Sequence, residues 1–247
     1  MKASASPKLL VITVLALAGS LVRLPAEDVV VLKNGQRRPG TILKISGGQL
    51  KLKVGPAETG IPMNQVVSVT MAPPKSYLDA LQQWKDGDAA KTLETLKPLV
   101  EKFLGLPTPW AERSAALLGD VYLSLDRIPE AEAAFTTFQT AYPDSGSLSD
   151  IGLARLAVTK GDYAAARGKL IRIVEEAVGV KMAPAGKSAM YGQAFYLMGI
   201  IRESEGTQPE ALQDYLTAVT LFHEDDAIAA KARERADILI EKNVIVP

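Results

Sequence analysis

The stretch Leu118 to Pro143, LGDVYLSLDRIPEAEAAFTTFQTAYP, constrains this chain more than any other. Leu118, Gly119, Tyr122, Ala131, Phe135 and Phe138 recur at three- and four-residue spacing, which places them on facing sides of two helices. Asp126 to Pro129 supply the turn, and Pro143 closes the second helix. Gly119 and Ala131 are small where two backbones must approach closely, and Tyr122 and Phe135 fill the space beside them. One hairpin cannot bury its whole apolar face, so neighbours must stack on it. A bulky side chain at Ala131 would overpack the seam, at a cost of about 1–3 kcal/mol.

The order Leu-Gly-x-x-Tyr, then Ala and Phe, then Pro resembles the tetratricopeptide repeat, or TPR. Aligning the small residue of each second helix yields four units, at Thr92, Ala131, Ala166 and Ala211, separated by 39, 35 and 45 residues. The excess over the ideal of about 34 falls between units, around Leu104–Pro109 and Val178–Lys187. Short turns repeat at Asp86-Gly87-Asp88, Asp126-Arg127, Lys160-Gly161-Asp162 and Glu205-Gly206. The third unit has Ala157 where Tyr is usual; the fourth has Arg202 at that position and His223 in place of Pro. The last helix, about Asp226 to Glu241, is rich in Lys, Arg and Glu and resembles the solubilising cap of such stacks.

Residues 1–26 have the layout of a secretory signal peptide. Lys2 and Lys8 precede an apolar run from Leu9 to Val22, and small residues follow. The run is shorter than the roughly 18–20 residues that span a bilayer. The reading is export to the periplasm or cell envelope, with an uncleaved membrane anchor as the alternative. Removing this segment takes Lys2, Lys8 and Arg23 with it, so 28 basic and 28 acidic side chains become a formal charge of −3. Such a balance argues against a bulk polyanion partner for the whole chain. The chain has no cysteine, which excludes disulfides, thiolate metal sites and a lipidated N-terminal cysteine.

Residues 27–71 change period. Val29 to Leu32 runs into Asn34-Gly35, a two-residue hairpin signal. Thr41 to Ile45 continues as a strand, Gly47-Gly48 turns, and Leu50, Leu52 and Val54 alternate with lysines. A loop through Gly55-Pro56 and Gly60 leads to Ile61-Pro62, and Val66 to Thr70 forms a last strand. This resembles a small SH3-like or Sm-like β barrel. Lys33, Arg37, Arg38, Lys44, Lys51 and Lys53 make the module basic, a candidate patch for an anionic polymer or lipid headgroups. A solvated strand face with lysine-guarded edges is the plainer account. The export signal and the lack of aromatic interleaving argue against nucleic acid.

The expected architecture is therefore multidomain and mainly α: an α-solenoid of TPR-like helical hairpins behind a small β-barrel-like module. Its parts are a signal peptide at 1–26, the β module at 27–71, a Pro-rich linker at 72–75, four hairpins at 76–225, and a capping helix and tail at 226–247. By the TPR resemblance, first helices line a concave face. That places Arg113, Asp120, Ser124, Arg155, Thr159, Gln193, Ile200 and Glu203 along a partner-binding groove. The carboxylate clamp of Lys and Asn used by some TPR domains is replaced by Ala116 and Asp120, then Ile151 and Arg155.

Gly186-Lys187-Ser188 resembles the end of a phosphate loop, but the first glycine is replaced by Lys181 and no strand is expected before it. His223 to Asp226 could hold a cation, yet an acid there caps the last helix more readily. No catalytic, cofactor or metal residues are assigned. The expectation is an exported, non-catalytic scaffold with protein partners. Alternatives are a self-associating structural envelope protein or an anion-binding module. Membrane contact is expected only through an uncleaved N-terminus or the basic strands.

Overall fold

A computed structural model describes residues 27–180, 182–184 and 186–247. The expected signal peptide lies outside the described residues. What is described is mainly helical, with one small antiparallel sheet.

The sheet comprises β1 (Asp28–Leu32), β2 (Arg37–Ser46), β3 (Gln49–Val54), β4 (Ala57–Pro62) and β5 (Val66–Thr70), in the order β4-β3-β2-β1-β5. Leu50 and Leu52 alternate inward from β3, against Val30 of β1 and Ile42 of β2. A register shift between Ile42 and Lys44 lets Ile45 face inward opposite Leu50 while Lys44 faces out opposite Lys51.

Two local expectations need correction. Asn34-Gly35 is not a two-residue hairpin. The connection runs from Lys33 to Gln36, with Gly35 at φ 81° and Asn34 Oδ1 accepting from Gln36 N at 3.0 Å. The true two-residue turn is Gly47-Gly48, whose φ values of 58° and 69° match the twist of the flanking strands. The expected loop through Gly55-Pro56 and Gly60 is a loop only at its start; from Ala57 it is strand β4, paired along its length with β3. Ala-Glu-Thr-Gly lacks β-branched alternation, so only the ladder to β3 makes it a strand.

The helices are α1 (Lys75–Lys85), α2 (Ala89–Phe103), α3 (Pro109–Ser124), α4 (Ile128–Ala141), α5 (Gly146–Thr159), α6 (Tyr163–Gly179), α7 (Ser188–Ser204), α8 (Gln208–Thr220) and α9 (Asp226–Glu241). They pack as successive antiparallel hairpins, a TPR-like arrangement, with each first helix also touching the next unit. Gly87, Gly161 and Gly206 turn three of the hairpins at φ 75–80°, and Asp126 does so in the second at φ 56°. Asp88, Asp162 and Asp225 cap α2, α6 and α9, each accepting a backbone N–H three residues on.

Thr92, Ala131, Ala166 and Ala211 are all fully buried, as small residues at a helix seam must be. Phe135 of α4 wedges between Gly119 of α3 and Gly152 of α5; a Cβ at either glycine would lie less than 3.0 Å from its ring. Tyr215 of α8 sits on Gly199 of α7 in the same way. Gly152 lies outside the Leu-Gly-x-x-Tyr spacing, so no repeat signal marks it in the sequence.

The apolar interior has two bodies. One runs from Val30, Leu50 and Leu52 of the sheet through Leu96, Trp110 and Phe135 of the first two hairpins. The other spans Ile151 of α5 to Leu239 of α9. The sheet thus shares a core with the helices. At the joint, Trp110 Nε1 donates to Met71 O at 3.2 Å, and its ring meets Phe103 edge-on at 5.2 Å.

Candidate functional site

First helices build one open groove. Tyr77, Leu81 and Trp84 come from α1, Arg113, Leu117 and Asp120 from α3, Leu148, Ile151 and Arg155 from α5, and Gln193 from α7. Helical spacing accounts for this: positions three and four apart on each helix share the face turned from its own hairpin partner. The space encloses about 270 Å³, with an apolar floor and a polar rim.

Three of the predicted groove residues are bonded to each other. Arg155 forms an ion pair with Asp120, both side chains about one-quarter exposed. Arg155 Nη2 donates to Gln193 Oε1 at 2.9 Å, and Gln193 Nε2 donates to Asp225 Oδ2 at 2.9 Å. Asp225 Oδ1 accepts the N–H of Ile228 at 3.2 Å. A polar ladder therefore crosses α3, α5, α7 and the start of α9. Asp225, expected as a helix cap ahead of a cation ligand, completes it with its second oxygen; nothing in the sequence marked that double use.

Arg113 differs. It is exposed, lines the same groove, and has no ion-pair partner among the described residues. Ser124 and Thr159 are exposed at helix ends and donate to carbonyls of their own helices, Val121 O and Arg155 O. Ile200 is half-buried against the second core. Glu203 accepts from Tyr215 Oη at 2.8 Å and faces Arg235 Nη1 at 3.4 Å, tying α7 to α8 and α9. Burial, and then that bond to Glu203, push the Tyr215 hydroxyl well above its usual range.

The basic residues of the sheet divide by register. Lys44 lies directly opposite Lys51, and Lys53 opposite Thr41, on the outer face that Arg37 also shares. Arg38 pairs with inward-facing Val30 and donates to Gln36 Oε1 at 3.0 Å. Lys33 sits in the β1–β2 connection.

Lys187, from the phosphate-loop resemblance, is paired with Glu176, which also accepts from Tyr191 Oη at 2.9 Å. The hydrogen bond to Glu176 raises the Lys187 ammonium above its ordinary range. Helix α6, not a strand, precedes this segment. His223 is exposed, and among the described residues no three His, Asp or Glu side chains converge as a metal site.

A second cavity, of about 490 Å³, opens between α6 and α8 over α7. At its wall Asp214, 3% exposed, accepts from Arg202 Nη1 at 3.1 Å. Burial pushes the Asp214 carboxyl up to about 7, against the opposing pull of Arg202. The fourth unit's departure from Tyr to Arg was visible in the sequence; the buried acid it recruits was not.

No family model matches the chain, and no curated protein matches it. Among solved structures it is similar to MamA, residues 41 to the end, from Desulfovibrio magneticus RS-1, at 16% identity and a TM-score of 0.40 over 68% of this chain and 93% of that one. It is likewise similar to the MamA RS-1 ArsTM double mutant, at 16% identity and a TM-score of 0.39, over 70% of this chain and 98% of that one.

Proposed function

We propose that this chain is a non-catalytic scaffold of the cell envelope, with its hairpins acting as a short solenoid that holds an extended or helical segment of a protein partner. The groove of the first helices carries this reading. Leu81, Trp84 and Leu117 offer apolar seats, while Arg113 stands at the rim with its charge uncommitted. A segment with spaced apolar anchors and an acid near one of them fits that lining. Export is supported by Lys2, Lys8 and the apolar run from Leu9 to Val22.

Arg155 is the wrong place to test this, since the ladder uses it. A photocrosslinking amino acid at Leu81, on the full chain in envelope preparations of the source organism, reads the groove directly. The same group at Thr137, exposed on α4, is the control. We expect one partner crosslinked from position 81, absent from position 137, and reduced at least tenfold by Arg113→Glu. The same crosslinks from both positions, or indifference to Arg113→Glu, would sink the assignment. Crosslinks to the chain itself alone would make it a self-associating structural component instead.

A second reading rests on the five-stranded sheet, where Lys44 and Lys51 are direct cross-strand neighbours. Like charges so placed repel, and a bound anion relieves them. Salt-sensitive binding of the full chain to anionic vesicles, lost in Lys44→Glu/Lys51→Glu, is the expected result; no binding at low salt would dispose of it.

A further inference from the structure

Two gaps open between consecutive second helices, each floored by the first helix between them. The gap between α2 and α4 encloses about 380 Å³ and has Tyr122 of α3 in its lining. At the position that aligns with Tyr122, α7 carries Arg202. The gap between α6 and α8 encloses about 490 Å³ and has that guanidinium in its wall. A break in a repeat pattern without a packing reason is where a site is to be sought.

The wall has an apolar and a polar part. Val174 and Ala177 of α6, Phe195 of α7, and Leu221 and Phe222 at the end of α8 form the apolar sleeve. At the mouth Val178 is 73% exposed and Met182 85% exposed, more apolar surface than a closed gap would leave in water. Arg202 spends only Nη1 on the protein, donating to Glu210 O at 3.3 Å and to Asp214 Oδ1. Its Nε and Nη2 donate to none of the described residues, and its side chain is 28% exposed. Asp214 also keeps Oδ2 buried without a partner, so the pair is held in place but not saturated. A volume in the range of small-molecule sites, largely apolar, with one directed donor edge, fits an amphipathic ligand.

We infer that the α6–α8 cavity is a binding site for a medium-length acyl chain ending in a carboxyl or carboxamide oxygen. The chain lies along Phe195, Val174 and Leu221, and the oxygen accepts from the free edge of Arg202. The site faces away from the first-helix groove, so its occupancy is separable from capture of a protein segment.

The test is calorimetric titration of the full chain with decanoate and, separately, with decanamide, each below its aggregation limit. Saturable one-to-one binding of either is expected. Val178→Trp narrows the mouth at an exposed position and should weaken binding at least tenfold, with the helical circular dichroism unchanged. Arg202→Met should weaken the preferred ligand about tenfold; a folded-state check by thermal melting accompanies it, because Arg202 also holds Asp214. Tighter decanoate binding assigns an anionic head group, and tighter decanamide binding a neutral one. Absence of saturable binding by the wild-type chain overturns the site. Equal affinity in Val178→Trp does so as well, since that variant does not depend on the ion pair.

Discussion

At the scale of single residues, two positions carry more than their size suggests. Gly152 and Gly119 grip Phe135 from opposite helices, and neither leaves room for a methyl group. Gly152→Ala should therefore cost about 1–3 kcal/mol, read as a lowered urea midpoint with unchanged slope. Phe135→Leu in the same chain should recover part of that loss, and strict additivity of the two changes would show that the ring is not the obstacle. Asp214 is the second such position. An unfolded chain releases its proton near 3.8, the folded chain near 7. Between those values the folded state holds the extra proton, so raising the pH through this window removes stability, by about 1.4 kcal/mol per unit at most. The charges that bear on Asp214 are Arg202 on α7, Arg167 on α6 and Glu210 on its own helix. Asp214→Asn does not titrate, so its stability relative to wild type should improve from pH 4 to pH 7 and level off above that. A difference that is flat with pH would refute the buried-acid account.

At the scale of elements, the polar ladder decides what the concave face can do. Asp120, Arg155, Gln193 and Asp225 bridge α3, α5, α7 and α9, so residues that look like a ligand surface in sequence serve as ties between units. Arg155→Glu would place a second carboxylate beside Asp120 and strand Gln193. The expected cost is about 1–3 kcal/mol, since the pair is half-buried rather than fully desolvated. Hydrogen exchange should quicken in α5 and α7 together; exchange confined to α5 would mean the ladder transmits nothing.

At the scale of the whole molecule, the two apolar bodies set how the chain comes apart. The sheet shares its core with the first two hairpins, and Trp110 closes the joint at Met71. Trp110→Ala removes both the ring packing on Phe103 and the bond to Met71, at a cost of about 3–5 kcal/mol. It should speed proteolysis between Met71 and Lys75, while amide protection in α7 to α9 stays near wild type because that region packs around a different core. Uniform loss of protection through α9 would show a single cooperative unit instead.

The sequence by itself determined the helical hairpins, because a 3.6-residue apolar period, small seam residues and Asp or Gly turns are local signals that tertiary contacts only reinforce. Thr92, Ala131, Ala166 and Ala211 were legible for that reason, as were Gly87, Gly161 and Gly206. Only the tertiary structure decided the rest. Strand β4 exists because β3 supplies its ladder, not because Ala-Glu-Thr-Gly prefers extension. Which of Arg113 and Arg155 is free depends on Asp120, which lies far from one of them in sequence. The burial of Asp214 beside Arg202 depends on how α8 leans over α7. Periodicity records which face of a helix is covered; it holds no record of which distant side chain meets a given charge, and that pairing is what separates a tie from a site.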